Sequence, residues 1–243
     1  MYLQVIPVQI SKEIEINDNL SELITNSVEI HDGDILVVAQ KIISKQEGRV
    51  VNLSTIKPSL LAQGISSEYQ KNPRIVELII SESKKIIRME RGIIIVETKN
   101  GFICANAGID ESNVQDGFVT LLPLDSDISA ENIRKQILKT HGKETAVIIS
   151  DTFGRPFRMG QTNHAIGVSG IRPILDYAGT NDMFGNMLHV TAIAIADEIC
   201  GAAELVMGKI TKCPVAIIRG YEFKRENTSI TELIRLEKED LFR

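Results

Sequence analysis

Two carboxylates, a hydroxyl and two arginines are the groups in this chain best suited to chemistry. Ser150, Asp151 and Thr152 follow directly on the apolar run Thr145-Ala146-Val147-Ile148-Ile149, and the polar stretch continues through Gly154, Arg155, Pro156, Phe157, Arg158 and on to His164. A carboxylate beside a hydroxyl suits a hard cation, and a guanidinium suits phosphate or carboxylate. Arg155 and Arg158 flank Pro156-Phe157, which stiffens the segment and would hold a guanidinium fork in place. Asp110 lies in a second polar stretch that also follows an apolar run, Asn106-Ala107-Gly108-Ile109-Asp110-Glu111-Ser112-Asn113. If the fold brings Asp110 and Asp151 together, they can hold one or two Mg2+ or Mn2+ ions, with Thr152 as a hydroxyl ligand and Asn113 as a hydrogen-bonding partner to a ligand. Paired metals of that kind clamp the oxygens in phosphoryl transfer. Both aspartates equally suit turns closed on their own backbone.

A third cluster is Lys41, Ser44 and Lys45. Four residues apart on a helix, the lysines share a face that could clamp a triphosphate or simply be solvated. Val206-Met207-Gly208-Lys209 closes an alanine-rich segment, where Gly208 reads as a helix cap and Lys209 suits the helix dipole. No standard nucleotide motif is present. Six residues separate Gly201 from Gly208 and Ile210 follows Lys209, which is not a P-loop, and no GxGxxG follows a strand.

These groups need elements to position them. Unalternating β-branched runs at 35–39 and 145–149 predict strands covered on both faces, with the polar segment 150–164 as the loop beyond the second. Further strands are expected at 1–8, 86–89, 93–97, 102–105, 164–169, 174–177 and 215–219. Helices are expected at 20–28 (capped by Asp18 or Asn19), 59–69, 73–83, 129–140 (capped by Ser129 and ended by Gly142), 188–207 and 229–236. Asn100-Gly101 predicts a hairpin turn. Strands and helices alternate without a regular βαβ repeat, so the fold class is mixed α/β, or α+β, over residues 1–243 as one domain with no legible boundary between subdomains.

The chain has 243 residues, is 43% hydrophobic and 24% charged, and carries a net charge of -5, which argues against a general nucleic-acid binder. No apolar stretch is long enough to span a bilayer and no signal peptide is read at the N-terminus. Three distant cysteines fit a reducing cytoplasm, and four scattered histidines show no zinc spacing.

Residues 37–49, 106–113, 150–161, 176–180 and 196–208 together resemble the coenzyme F420-0:γ-glutamyl ligase family, GTP-dependent enzymes that add glutamate to a deazaflavin coenzyme. The resemblance implies an F420 ligase-like fold, an intertwined homodimer, GTP as co-substrate, two divalent cations (Mg2+ or Mn2+) and a potassium ion. It places Asp110, Asp151 and Thr152 as metal ligands. Lys41, Lys45 and Asn113 then hold GTP, and Val206, Met207, Gly208 and Lys209 contact the nucleotide. The family commonly has Leu-Pro-Leu-Ile where this chain has Ser11-Lys12-Glu13-Ile14, and often a serine where it has Gln40, both at nucleotide-contacting positions. The implied reaction turns the lactyl carboxylate of F420-0, and later the γ-carboxylate of the added glutamate, into an acyl phosphate that the amine of L-glutamate attacks. Arg155 or Arg158 would stabilise the transferring phosphoryl group. A folate or pterin-like acceptor, a non-catalytic nucleotide- or deazaflavin-binding protein, and a plain metal-dependent phosphohydrolase are the competing readings.

Overall fold

The computed structural model describes residues 2–241. In chain order the strands and helices are β1 (Gln4–Val8), α1 (Leu20–Ser27), β2 (Ile35–Ala39), α2 (Gln40–Gln46), β3 (Val50–Asn52), α3 (Leu60–Tyr69), α4 (Pro73–Ser81), β4 (Ser83–Glu90), β5 (Ile93–Thr98), β6 (Ile103–Ala105), β7 (Phe118–Thr120), α5 (Ser126–His141), β8 (Ala146–Arg155), β9 (Arg158–Ser169), β10 (Leu175–Asp176), β11 (Ala192–Ile193), α6 (Ile195–Met207) and β12 (Val215–Arg219). The mixed α/β expectation holds. Among the described residues no helix is long and apolar enough to cross a membrane.

The main sheet has the order β1-β12-β2-β8-β9. Its centre is the parallel pair β2–β8, with Ile35 opposite Ala146 and Ala39 opposite Ser150. Ile35 through Val38 and Ala146 through Ile149 are fully buried, as unalternating strands covered on both faces must be. Helix α5 packs across β8 and β9, and α6 packs against β9, β12 and β1. Asp34, in the turn before β2, accepts a fork of two 2.8 Å bonds from Arg219 at the end of β12, which pins that strand pair. A smaller core gathers α3, α4 and β5 around Ala62, Val76, Ile79, Ile94 and Val96.

Parallel pairing delivers the site. Ala39 and Ser150 are the last register partners of the parallel pair, so both strands leave the core at the same level. One runs straight into α2, with Lys41 and Lys45, while the other continues to Asp151 and Thr152.

Four local expectations are corrected. Residues 150–164 are the arms of a hairpin, not a loop: β8 runs on to Arg155 and β9 begins at Arg158, with Asp151 opposite His164 and Thr152 opposite Asn163. The arms project beyond the core, so they carry no amphipathic alternation, and strand character comes from pairing across the Pro156-Phe157 turn. Helix α5 starts at Ser126, capped by Asp125, whose Oδ1 accepts the Ile128 N–H at 3.0 Å; Ser129 is instead buried inside the helix. Helix α6 starts at Ile195 rather than 188, because residues 175–193 form a ribbon. The Tyr177 N–H donates to the Thr191 carbonyl, Gly179 to Leu188, and β10 pairs with β11, so those backbone groups are already taken. The expected terminal helix is a 3-10 turn over Ile230–Leu233. Elsewhere the caps read from sequence, Asn19 and Gly142, stand where expected, and Ser59 caps α3 rather than opening it.

Candidate functional site

Asp110 reaches the site through an unusual turn. After β6, Asn106, Ala107 and Gly108 all adopt positive φ, and a Cβ on Gly108 would lie 2.7 Å from the Leu122 side chain, so glycine is required there. The strand-like bridge from Asp110 to Thr120 then fixes its backbone. Its carboxylate accepts the Lys41 ammonium at 2.6 Å, the Ser112 N–H at 2.7 Å and the Ser112 hydroxyl at 3.0 Å. Burial disfavours the Asp110 charge, but Lys41 and Ser112 outweigh it and hold the carboxyl below the usual carboxylate range. Lys41 also donates to the Ser112 carbonyl and hydroxyl, both at 2.6 Å. The two sequence-predicted residues Lys41 and Asp110, far apart in the chain, are thus one ion pair.

Asp151 is the contrasting carboxylate. It is deeply placed, and loss of solvation pushes its pKa up to about 6. The Thr152 N–H, 2.7 Å from its Oδ1, works against that rise, the charge of Asp110 adds to it, and Lys209 and Lys41 oppose it from further away. Two carboxylates close enough to feel one another, one paired with Lys41 and the other poorly solvated, mark a perturbed polar locus. Its influence extends to β6, where burial first and Asp151 second push the Cys104 thiol up to about 12.

Thr152 is the third member. Its hydroxyl donates to Asn163 Oδ1 at 2.8 Å and accepts from the Lys209 ammonium at 2.7 Å. Lys209 also pairs with Glu204 at 3.0 Å, and Asn163 Nδ2 donates to Glu204 at 3.0 Å. Asp110, Asp151 and Thr152 present two carboxylates and a hydroxyl, all hard oxygen donors of the kind Mg2+ and Mn2+ take. Ammonium groups already stand on Asp110 and Thr152, so positive charge is favoured at both. Among the described residues, however, no group of three or more His, Cys, Asp or Glu side chains converges as a ready-made cation site. Any cation here would draw the rest of its ligands from water and phosphate.

The other predicted residues divide by position. Lys45 makes an ion pair with Glu13. That contact draws the segment Ser11-Lys12-Glu13-Ile14 to the flank of α2; Lys12 pairs with Asp18, and Ile14 is buried in the main core. Gln40 turns inward, donating from Nε2 to the Ser44 hydroxyl at 2.6 Å and the Leu121 carbonyl at 3.1 Å. Asn113 sits exposed at positive φ next to Ser112. Of Val206, Met207, Gly208 and Lys209, only Lys209 joins the polar cluster; Met207 is core, and Gly208 caps the helix at φ 58°. Arg155 and Arg158 face one another at the hairpin tip. Four residues along β8 from Asp151, Arg155 is roughly 13 Å from it at strand rise.

Three participants escaped sequence reasoning. Ser112 lies two residues from Asp110, the spacing at which an Asp accepts a backbone N–H two residues on. Asn163 and Glu204 offered no such local signal, since their meeting depends on α6 crossing β9. His164 is a fourth polar group on the hairpin: its Nδ1 is 3.3 Å from Asp197, its Nε2 is 2.8 Å from the Thr162 hydroxyl, and its ring stacks on Phe153 at 5.7 Å.

The mixed α/β scaffold thus gathers carboxylates, a hydroxyl and lysines where its two parallel central strands leave the core, a place where rigid elements present chemistry. The family is set by likeness: residues 10–220 match the model of the F420-0:gamma-glutamyl ligases, and the chain belongs to that family. It is 47% identical over 227 residues to the coenzyme F420:L-glutamate ligase of Methanothermobacter thermautotrophicus, covering 92% of this chain and 90% of that one. The protein of the same name from Methanocaldococcus jannaschii is 47% identical over 226 residues, covering 93% and 90%. That of Methanopyrus kandleri is 39% identical over 246 residues, covering 99% and 98%.

Proposed function

We propose that this chain is a GTP-dependent ligase that attaches L-glutamate to coenzyme F420-0 through an acyl phosphate. Family membership over nearly the full chain supports the ligase activity and its two organic substrates. The observation that carries the phosphoryl step is the pairing of poorly solvated Asp151 with Asp110, ringed by Lys41 and Lys209.

A carboxylate is a poor electrophile, so the γ-phosphoryl group of GTP must first pass to the acceptor carboxylate. Asp110, Asp151 and Thr152 would hold Mg2+ or Mn2+, two per site, and the cations supply neutralisation of the phosphate charge. Lys41, Lys45 and Lys209 exchange their present partners for phosphate oxygens, and Asn113 and the 11–14 segment lie along the rest of the nucleotide. The amine of glutamate then attacks the acyl carbon, the C–O bond to phosphate breaks, and inorganic phosphate leaves with the bonding electrons as an amide forms. Exclusion of water preserves the acyl phosphate until the amine arrives. A potassium ion completes the charge balance around the triphosphate.

The enzyme works as a homodimer in the cytoplasm. Phe157 and Met159 at the hairpin tip are 89% and 97% exposed, and Met183, Phe184 and Val190 on the 175–193 ribbon are similarly bare. Such apolar projections suit burial against a second copy. The hairpin carries Arg155 and Arg158 away from their own chain's carboxylates, so the phosphoryl contact assigned to them falls toward that second copy.

The test is mass spectrometry of F420-0 incubated with the protein, GTP, Mn2+, K+ and L-glutamate, with folate monoglutamate and ATP run in parallel. Glutamyl mass gain on F420-0 with GTP is the expected result. Gain on folate alone, phosphate release without acceptor, or nucleotide binding without product would each overturn the assignment.

A further inference from the structure

The face of the hairpin that carries Asp151 opens onto a cavity. Residues directly opposite one another in an antiparallel pair project to the same face, so Asp151 and His164 are side by side, as are Phe153 and Thr162. Beyond them lies a space of about 240 Å³, floored by Phe102 and Phe153 and walled by His164, Asp197, Ile234 and Arg235. The two phenyl rings lie 6.4 Å apart and tilted by 58°, a packed apolar base. The charged groups of the lining are of both signs: Asp197 and Asp240 are carboxylates and Arg235 is a guanidinium. Asp197 is fixed by the Ala165 N–H at 2.8 Å and by His164 at 3.3 Å. Arg235, from the segment after the Ile230–Leu233 turn, forms no ion pair among the described residues.

Size and charge select the ligand. Pockets for drug-sized molecules run from about 300 to 1,000 Å³, so this one is too small for a deazaflavin ring system and fits a single amino acid. The Arg235 guanidinium fork, without an ion pair among the described residues, matches a carboxylate, and the fixed Asp197 carboxylate matches an ammonium. The apolar base suits the methylenes between them. The carboxylate Asp197 stands beside His164, and His164 stands beside Asp151, so an ammonium held there is at the edge of the phosphoryl-transfer locus, where an attacking amine must be.

We infer that this cavity is the subsite for the incoming amino acid, with Arg235 binding a carboxylate of L-glutamate and Asp197, oriented by His164, holding its amino end next to Asp151. This rests on the ligase reading for the identity of the amino acid, while the site itself is defined by geometry independent of GTP and acceptor.

The experiment separates the two. Isothermal titration of L-glutamate into the full protein, preloaded with a non-hydrolysable GTP analogue and Mn2+, is compared between wild type, Arg235→Gln and Arg235→Lys. Glutamate should bind wild type saturably, lose at least tenfold in affinity in Arg235→Gln and recover in part in Arg235→Lys, with analogue affinity within twofold throughout. In turnover the glutamate KM should rise tenfold or more in Arg235→Gln while the GTP KM stays put. Equal glutamate affinity in wild type and Arg235→Gln, or no saturable glutamate binding to wild type, would overturn the subsite. Failure of the ligase reading shows separately, as absence of glutamyl product from wild type.

Discussion

Replacing Asp151 with asparagine should stabilise the metal-free protein while abolishing its activity. The Asp151 carboxyl titrates near about 6 in the folded chain against 3.8 when unperturbed, chiefly because burial strips solvent from its charge. A folded pKa above the unfolded one means the folded state binds the proton more tightly. Stability is therefore greatest at low pH and is lost as pH rises from 3.8 through 6. At 1.36 kcal/mol per unit, the penalty at pH 7.5 is about 3 kcal/mol, and it falls to about 1 kcal/mol at pH 4.5. Asparagine retains an Oδ1 to accept the Thr152 N–H, now 2.7 Å from the aspartate oxygen, and carries no charge. Asp151→Asn should thus gain about 2–3 kcal/mol at pH 7.5 in EDTA, a rise in Tm of roughly 5–10 °C for a chain of this size. Urea denaturation at pH 7.5 and pH 4.5 reads the effect directly. Saturating Mn2+ should raise the Tm of wild type and leave the variant unmoved. A variant no more stable than wild type at pH 7.5, or one whose advantage is as large at pH 4.5, would refute the claim that a desolvated charge at 151 is held in readiness for a cation.

Lys209 is 60% exposed and touches Thr152 and Glu204, so Lys209→Ala should leave stability within about 0.5 kcal/mol and raise the GTP KM about tenfold or more; an unchanged KM in steady-state assays would remove Lys209 from the phosphate site. Gly167 on β9 faces the start of α5, where an added Cβ would lie 2.4 Å from the Ser126 backbone carbonyl. Because backbone cannot step aside as a side chain can, Gly167→Ala should cost about 3 kcal/mol or more in urea titrations, and a loss under about 1 kcal/mol would show that α5 shifts freely. Paired Phe157→Ser and Met159→Ser substitutions should convert a dimer into a monomer by light scattering with little change in the far-UV spectrum; a dimer that persists unchanged would place the interface elsewhere.

Much of the scaffold was legible because its causes are local. The buried strands β2 and β8 announce themselves as β-branched runs, the helix caps Asn19 and Gly142 as the residue types that satisfy orphan backbone groups, and Lys41 and Lys45 as neighbours on one turn of helix. Asp110, Asp151 and Thr152 were legible as candidates because polar residues directly after apolar strands are where rigid elements present chemistry. The hairpin 150–164 was not, since its arms leave the core and owe their strand form to pairing with one another. The same holds for residues 188–194, whose alanines and isoleucine look helical until their backbone groups are spent on the facing strand.

Residue type and spacing alone therefore determined the fold class, the central strands and the hard-oxygen and ammonium chemistry available to the chain. Only the tertiary structure decided which of those groups meet. The parallel register of Ala39 with Ser150 brings Lys41, paired with Asp110, to the same end of the sheet as Asp151, and the crossing of α6 over β9 brings Asn163 and Glu204 to Thr152. Burial then splits two chemically identical aspartates, one held ionised by Lys41 and one pushed toward neutrality by lost solvation. Solvation and long-range contact belong to the folded arrangement, and no local pattern encodes them.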